Sequence, residues 1–510
     1  MSIGDADNRI TAAAEPPYIG RAIHRFEDAD LLCGRGRFGD DLPVRPDTLH
    51  AAILRSPHAH AEILSVDVAG ALAVPGVDCV VTGEDARRWT RPLAVAVKTA
   101  MEQWCLAIDR ARYVGEPVAV VLAGNRETAE DALERIAVDY RPLPPIGEPE
   151  AAARSDAPLL HPSVGSNVIS ERMFRYGDPE TAFAEAEHKI SITTRYPRNS
   201  ATPIECFVVI AEYSPGEEAY EIVANFQGPF AMHPVMALAL GVPDNRLRLR
   251  TPRHSGGSFG VKHAVFPYIV LMALAARKAG RPVKWVEGRL EHLVAATSAT
   301  NRVTTLSAAV DKDGIVRALD WDQLEDCGAY LRAPEPATLY RMHGNMTGAY
   351  RARHLSIRNR VVLTNKTPSG LVRGFGGPQV YFALERLMQS IAARLDLDPL
   401  EVIRGNLVET FPYRCPSGAI LDSGDYRGAV DLAAERGGLA ELRRRCHLAR
   451  ATGRLYGIGF AAVVEPSISN MGYITVRRAE PWRLRLWLLT RSAAFRSRST
   501  RCRRAKVIPP

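Results

Sequence analysis

Apolar and polar positions follow two different periods along this chain, and where they switch marks its organisation. From Gly20 to Pro145, Leu49 to Leu54, Glu62 to Val68, Val77 to Val81 and Pro117 to Leu122 have strand character. Glu127 to Ile136 carries helical spacing, and Ala137 to Arg141 reads as a return strand. Pro142, Pro144, Pro145, Pro149, Pro158 and Pro162 then punctuate the segment to Ser163, which predicts a stiff, poorly structured linker and a domain boundary.

Beyond that segment a strand–loop–helix pattern occurs three times. Tyr220 to Asn225 predicts a strand, Gln227-Gly228-Pro229 a turn, and Phe230 to Leu240 an apolar helix closed by Gly241. Arg246 to Arg250 alternates charged and apolar residues, and Ala264 to Ala279 predicts a buried helix ended by Gly280 and Pro282. Between them lies Arg253-His254-Ser255-Gly256-Gly257-Ser258-Phe259-Gly260-Val261-Lys262-His263. A glycine turn there lets backbone approach a ligand and aims N–H groups and a positive helix end at an anion. Glycine turns between strand and helix are also ordinary, and this one lacks the spacing of a Rossmann or P-loop fingerprint. In the third unit, Arg358 to Asn365 is the strand and Thr367 to Gly377 the loop. A helix from Pro378 has Leu384, Leu387, Met388, Ile391 and Leu395 on one face. Asp398 then caps a helix with Pro399 in its first position. Three such units predict loops converging on one crevice; the alternative is three ordinary connections on different sides of the fold.

Length changes this picture little: 510 residues with 46% hydrophobic content can build two or more domains. Charge changes it more. Ten Arg, one Lys and one Glu from Arg477 onward account for the net +8, leaving residues 1–476 near neutral, which argues against nucleic-acid binding. Met1 to Ala14 is polar and acidic, and the longest apolar run, Ala264 to Ala276, is too short to span a bilayer; a cytoplasmic protein is expected. The eight cysteines are scattered without CxxC or Cys/His spacing, so no metal or iron–sulfur ligands are expected on this chain.

The motifs now in hand resemble, from about Gly20 to Thr475, the molybdopterin-binding large subunit of the xanthine dehydrogenase / aldehyde oxidase family, including its aerobic carbon monoxide dehydrogenase large chains. Gly36-Arg37-Phe38-Gly39-Asp40-Asp41, Arg55-Ser56-Pro57-His58-Ala59-His60-Ala61 and Val114-Gly115-Glu116-Pro117-Val118-Ala119 look like its α/β hammerhead domain. Asn225-Phe226-Gln227, Gly256 to Lys262, and Arg373-Gly374-Phe375-Gly376-Gly377-Pro378-Gln379 look like its cofactor loops, and Asp422-Ser423-Gly424-Asp425-Tyr426 is also familial. The resemblance implies an α+β chain. Its expected divisions are an arm at 1–19, a hammerhead domain at 20–145, a linker at 146–165, a first molybdopterin-binding α/β domain at 166–455, and only the start of the second at 456–476. In that last stretch Ile458 to Val464 predicts an apolar strand. An aberrant basic tail at 477–510 follows, where a sharp composition break suggests a shifted reading frame or a damaged gene; a genuine basic tail is the alternative.

By the same resemblance, Gln227, Gly257, Phe259, Gly260 and Arg373 surround the molybdenum and its pterin, in the cytosine dinucleotide form. His263 and Phe375 face the substrate. A Gln amide, backbone N–H groups and an Arg fork suit those roles. Phe375 could equally be a core residue, and His263 a helix-start residue facing solvent. His263 stands where xanthine-oxidising members have a carboxylate, which counts against a purine. Gly374 stands where carbon monoxide dehydrogenases have cysteine, which counts against carbon monoxide. Ser258 replaces a usual glycine, and Cys206 follows Glu205 where the family commonly has proline. The family's catalytic glutamate would fall beyond this chain's matched region, so no catalytic residue is assigned and Glu465 is not promoted. The implied activity is hydroxylation of an aldehyde or N-heteroaromatic C–H with oxygen from water, expected to be lost in so short a chain. The implied partners are an iron–sulfur small subunit and an FAD-binding medium subunit, in a dimer of heterotrimers. Two other readings stand beside it: a non-catalytic remnant that only docks on subunits, and a nicotinamide-dependent dehydrogenase using the Gly256 loop with Glu287 on the ribose.

Overall fold

A computed structural model describes residues 18–94 and 99–466; the basic tail and all but the last two residues of the N-terminal arm lie outside them. The strands expected from the alternating pattern form at Leu49–Arg55, Ala61–Asp67, Val77–Val81, Pro117–Ala123 and Ala137–Pro142, with a helix at Arg126–Leu133. Every residue of Pro117–Ala123 is buried, because its two faces feed two cores. Val120 and Leu122 join a cluster with the helix Phe266–Ala279, whereas Ala119, Val121 and Ala123 join Ala129 and Ala132 of the helix Arg126–Leu133. That division is the two-residue period of a strand covered on both sides.

These strands do not make a closed unit. One seven-stranded sheet runs in the order Leu247–Arg250, Ala219–Ala224, Val208–Ser214, Val283–Val286, Leu49–Arg55, Pro117–Ala123, Val77–Val81. It crosses the proline-rich segment through a parallel pairing of Leu49 with Val283 and His50 with Lys284. The proline-rich stretch, expected to be poorly structured, is pinned instead. It contains a short helix, Pro149–Ala152, Ile146 N–H donates to Asn365 Oδ1 at 2.9 Å, and buried His161 reaches the Ala329 carbonyl at 2.8 Å.

A second sheet takes the order Val168–Tyr176, His354–Val362, Val316–Asp326, Asn301–Val310, His188–Tyr196. The helix Gly377–Leu395 lies over its last two strands, burying Leu384, Leu387, Met388 and Ile391 as their spacing predicts. Asp398 caps Pro399–Asn406 by accepting from Leu400 N–H at 2.8 Å.

One expected strand is absent. Ile458 to Val464 runs without strand pairing, its backbone claimed by side chains instead. Phe460 and Val464 carbonyls accept from Gln389 and from Asn345 and Tyr381, and Ala462 N–H donates to Glu385. Its apolar pattern is satisfied by this groove, with Phe460, Ala462 and Val464 against the second core. Among the described residues no helix is long and apolar enough to cross a membrane.

Candidate cofactor-binding site

Strands Ala219–Ala224 and Leu247–Arg250 are parallel neighbours, with Tyr220 opposite Leu247 and Val223 opposite Arg250. The chain therefore leaves both at the same edge of the sheet, the edge at which α/β folds place ligands. Two loops emerge there, one carrying Gln227 and one carrying Gly256 to Gly260. Gln227 N–H donates to the Lys262 carbonyl at 3.3 Å, and Ser258 Oγ donates to Gln227 Oε1. Ser258 Oγ also accepts from Gly260 and Lys262 N–H at 3.3 and 3.4 Å. Ser258 is thus the fastener between the loops.

The third loop arrives from the other sheet. Arg373 N–H donates to the Phe259 carbonyl at 2.7 Å, and the Arg373 guanidinium lies 4.9 Å from the Phe259 ring centroid. Gly260 makes this approach possible. Its φ is +107°, and a Cβ there would lie 2.6 Å from the Leu371 carbonyl oxygen, so glycine is required both for conformation and for space. Gly257 and Phe259 also hold positive φ, +98° and +52°. Gln227, Phe259 and Arg373 are exposed, Gly257 partly so and Gly260 buried. Among the described residues the amides of Gly257, Ser258 and Phe259 donate to no internal acceptor. These three N–H groups and the Arg373 fork fit an anionic, oxygen-rich group.

Of the seven predicted residues, Gln227, Gly257, Phe259, Gly260 and Arg373 come together directly. His263 sits just behind them in the 3₁₀ turn Val261–Val265, which delays the helix start to Phe266. It does not face solvent: it is 7% exposed, beside Gly228 and the Phe226 ring, and burial lowers its pKa so that it stays neutral. Phe375 is partly buried at φ +38°, in the same loop as Arg373.

Sequence reasoning missed what holds the loop from beneath. Glu205 accepts from Gly39 N–H at 3.0 Å and Gly256 N–H at 2.8 Å, and pairs with the buried ammonium of Lys262. Burial alone would raise the Glu205 pKa; the Lys262 ammonium and the two amides outweigh it and hold the carboxyl below its ordinary range. Arg37 N–H donates to His254 Nδ1 at 2.8 Å. The Gly36–Asp41 motif therefore docks on the glycine loop, a link visible beforehand only as two motifs far apart. Arg341 donates to the Gly374 carbonyl at 2.8 Å and pairs with Glu465 at 2.7 Å, bracing the third loop. Glu287, the residue a nicotinamide reading needs on a ribose, is 3% exposed and already accepts from Phe207 N–H at 3.1 Å.

Comparison with known proteins gives the same picture. Residues 160–407 match the molybdopterin cofactor-binding domain, and residues 33–144 the aldehyde oxidase and xanthine dehydrogenase a/b hammerhead domain. The nicotine 6-hydroxylase large subunit of Paenarthrobacter nicotinovorans is 32% identical over 468 residues, covering 90% of this chain and 57% of that protein. The carbon monoxide dehydrogenase large chain of Afipia carboxidovorans is 32% identical over 83% of this chain and 54% of its own. Among solved structures, quinoline 2-oxidoreductase from Pseudomonas putida 86 superposes with a TM-score of 0.79 at 34% identity, covering 86% of this chain and 56% of that one. The chain spans a little over half the length of these relatives.

Proposed function

Because the chain belongs to the xanthine dehydrogenase / aldehyde oxidase family as a molybdopterin-binding large subunit, we propose that it holds the cofactor of a molybdenum hydroxylase acting on an N-heteroaromatic or aldehyde C–H bond with oxygen from water. One observation carries this reading. Residues from three separate loops, Gln227, Ser258 to Gly260 and Arg373, are tied into one partly exposed patch within the stretch matching a molybdopterin-binding domain. When bound, the molybdenum–pterin group supplies the two-electron redox chemistry.

The chain's own residues bind and orient. The amides of Gly257, Ser258 and Phe259 point hydrogen-bond donors at pterin or phosphate oxygens, and Arg373 adds a fixed cationic fork. Ser258 Oγ–H, by occupying Gln227 Oε1, leaves the Gln227 Nε2 donors to face the ligand. Neutral His263 offers no standing charge, which disfavours a purine partnered by a carboxylate, and Phe375 supplies an aromatic face for a ring substrate. The names of two relatives, nicotine 6-hydroxylase and quinoline 2-oxidoreductase, favour an N-heteroaromatic ring. Electron acceptors would be an iron–sulfur subunit and a flavin subunit, assembled as a dimer of heterotrimers, and the pterin would be the cytosine dinucleotide form.

Co-expression with such subunits, followed by molybdenum and pterin-nucleotide analysis, tests this. Stoichiometric molybdenum in the wild type, sharply reduced in Gln227→Ala and Arg373→Ala variants that still fold, is expected. Folded protein without molybdenum or pterin would leave only a docking role.

A further inference from the structure

Strand Val208–Ser214 pairs antiparallel with Val283–Val286, placing Val208 opposite Val286. The residues flanking that pair are therefore neighbours. Cys206 lies just before the first strand, Glu287 just after the second, and His292 on the short helix Arg289–Ala295 that follows. A ring nitrogen of His292, a carboxylate oxygen of Glu287 and Cys206 Sγ all lie within 4.8 Å of one another. We propose that these three residues form a second metal site, for zinc or a similar borderline-soft divalent cation, which the cofactor reading does not use.

Four features support it. Glu287 and His292 are 3% and 1% exposed, yet Glu287 Oε1 and His292 Nε2 have no hydrogen-bond partner. Polar atoms left bare in a core are costly unless a ligand engages them. The pair is already fixed: His292 Nδ1 contacts Glu287 Oε2 at 2.6 Å, Phe207 N–H holds the same oxygen, and Glu287 N–H donates to the Phe207 carbonyl at 2.9 Å. Thiolate, imidazole and carboxylate are all zinc ligand types, and three protein ligands leave an open fourth position. One thiolate and one carboxylate also neutralise a divalent charge. A tetrahedral zinc site, with Zn–S of about 2.3 Å and Zn–N of about 2.0 Å, has ligand–ligand edges of roughly 3.5 Å, so small side-chain rotations close the site. Without metal, burial raises the Cys206 thiol pKa, aided by Glu287 and Glu291 and opposed by Arg289 and Lys262. An unassisted nucleophilic thiolate is therefore disfavoured, and metal binding would release the thiol proton to solvent.

The site would brace the glycine loop, because Glu205, the residue beside Cys206, holds Gly39, Gly256 and Lys262. Local spacing could not reveal it: Cys206 is about eighty residues from its partners, and only the strand pairing joins them.

The test uses the full chain, stripped with a chelator and titrated with cobalt(II) and zinc(II). The expected result is one equivalent of cobalt with a thiolate-to-cobalt charge-transfer band. Cys206→Ala should abolish that band and lower zinc retention at least tenfold, while its circular dichroism stays unchanged because the Glu287–His292 pair remains. Equal metal uptake by Cys206→Ala, or cobalt binding without the thiolate band, overturns the proposal. Should that variant misfold, alkylation of Cys206 in the wild type decides: zinc must slow it markedly, and an unchanged rate overturns the site. Molybdenum content is measured separately, so failure here leaves the cofactor reading untouched.

Discussion

At the scale of single residues, Gly260 and Ser258 carry the loop geometry in opposite ways. Gly260 matters for what it lacks: a methyl group would meet the Leu371 carbonyl, at a φ of +107°. Gly260→Ala should therefore cost on the order of 1–2 kcal/mol or more and open the Phe259–Arg373 contact. A lowered urea midpoint together with lost pterin retention would check this; an unchanged midpoint would mean the loop shifts freely. Ser258 matters for what it adds. Ser258→Gly removes one hydroxyl serving Gln227, Gly260 and Lys262. A loss of about 1 kcal/mol is expected. Adding Gln227→Ala should cost less in that background than alone, measured by a double-mutant cycle. The fold brings Gln227, Gly257, Phe259, Gly260 and Arg373 together, and the motifs marked these five as candidates because glycine turns and a fixed order leave local signatures. Glu205 left none. Its partners lie 166 and 51 residues away at Gly39 and Gly256, and a lone Glu between apolar runs reads as an exposed charge. The inward turn of His263 was equally invisible: a short 3₁₀ turn shifts the helix start and buries that ring.

At the scale of elements, strands such as Asn301–Val310 and Val316–Asp326 were not foreseen. The strands and helices that the periodicities named fall within a few residues of those observed, except at Ile458 to Val464. An apolar alternation there is satisfied by a groove of side chains, and pattern alone cannot tell a strand partner from Gln389, Asn345, Tyr381 and Glu385. Glu385 makes this attachment sensitive to pH. Burial pushes its pKa from an ordinary 4.5 up to about 7, against the Ala462 N–H and the Tyr350 hydroxyl, which favour the carboxylate. Burial likewise lifts Glu335 to about 7. Between the two values the unfolded chain has released protons that the folded chain keeps, so stability falls as pH rises from about 4.5 through 7. For Glu385 the penalty is on the order of 3 kcal/mol when fully developed. Thermal melts from pH 5 to 8 should show a falling midpoint that Glu385→Gln flattens in part. A midpoint rising over that range in the wild type would contradict the assignment.

At the scale of the whole molecule, the proline-rich segment divides the sequence while the seven-stranded sheet joins what lies on either side. Leu49, Ile53, Val120 and Leu122 from before it share one core with Val209, Ile222, Val265 and Ile269 from after it. The parallel contact that completes this sheet spans only two residue pairs, too few for a pattern in either strand to specify. Shared burial of this kind couples unfolding: exposing one face of Pro117–Ala123 strips the helix Phe266–Ala279 of its cover as well. Native-state hydrogen exchange measures the coupling directly. Amides of Val120 and Leu122 should open with the same free energy, and the same denaturant dependence, as those of Val209 and Ile222. Separate openings, with the earlier strands exchanging at lower free energy, would show that the sheet is two abutting units. Residues 20–145 alone would then fold independently. With coupled opening, that fragment should instead expose the Leu49, Ile53, Val120 and Leu122 face and aggregate.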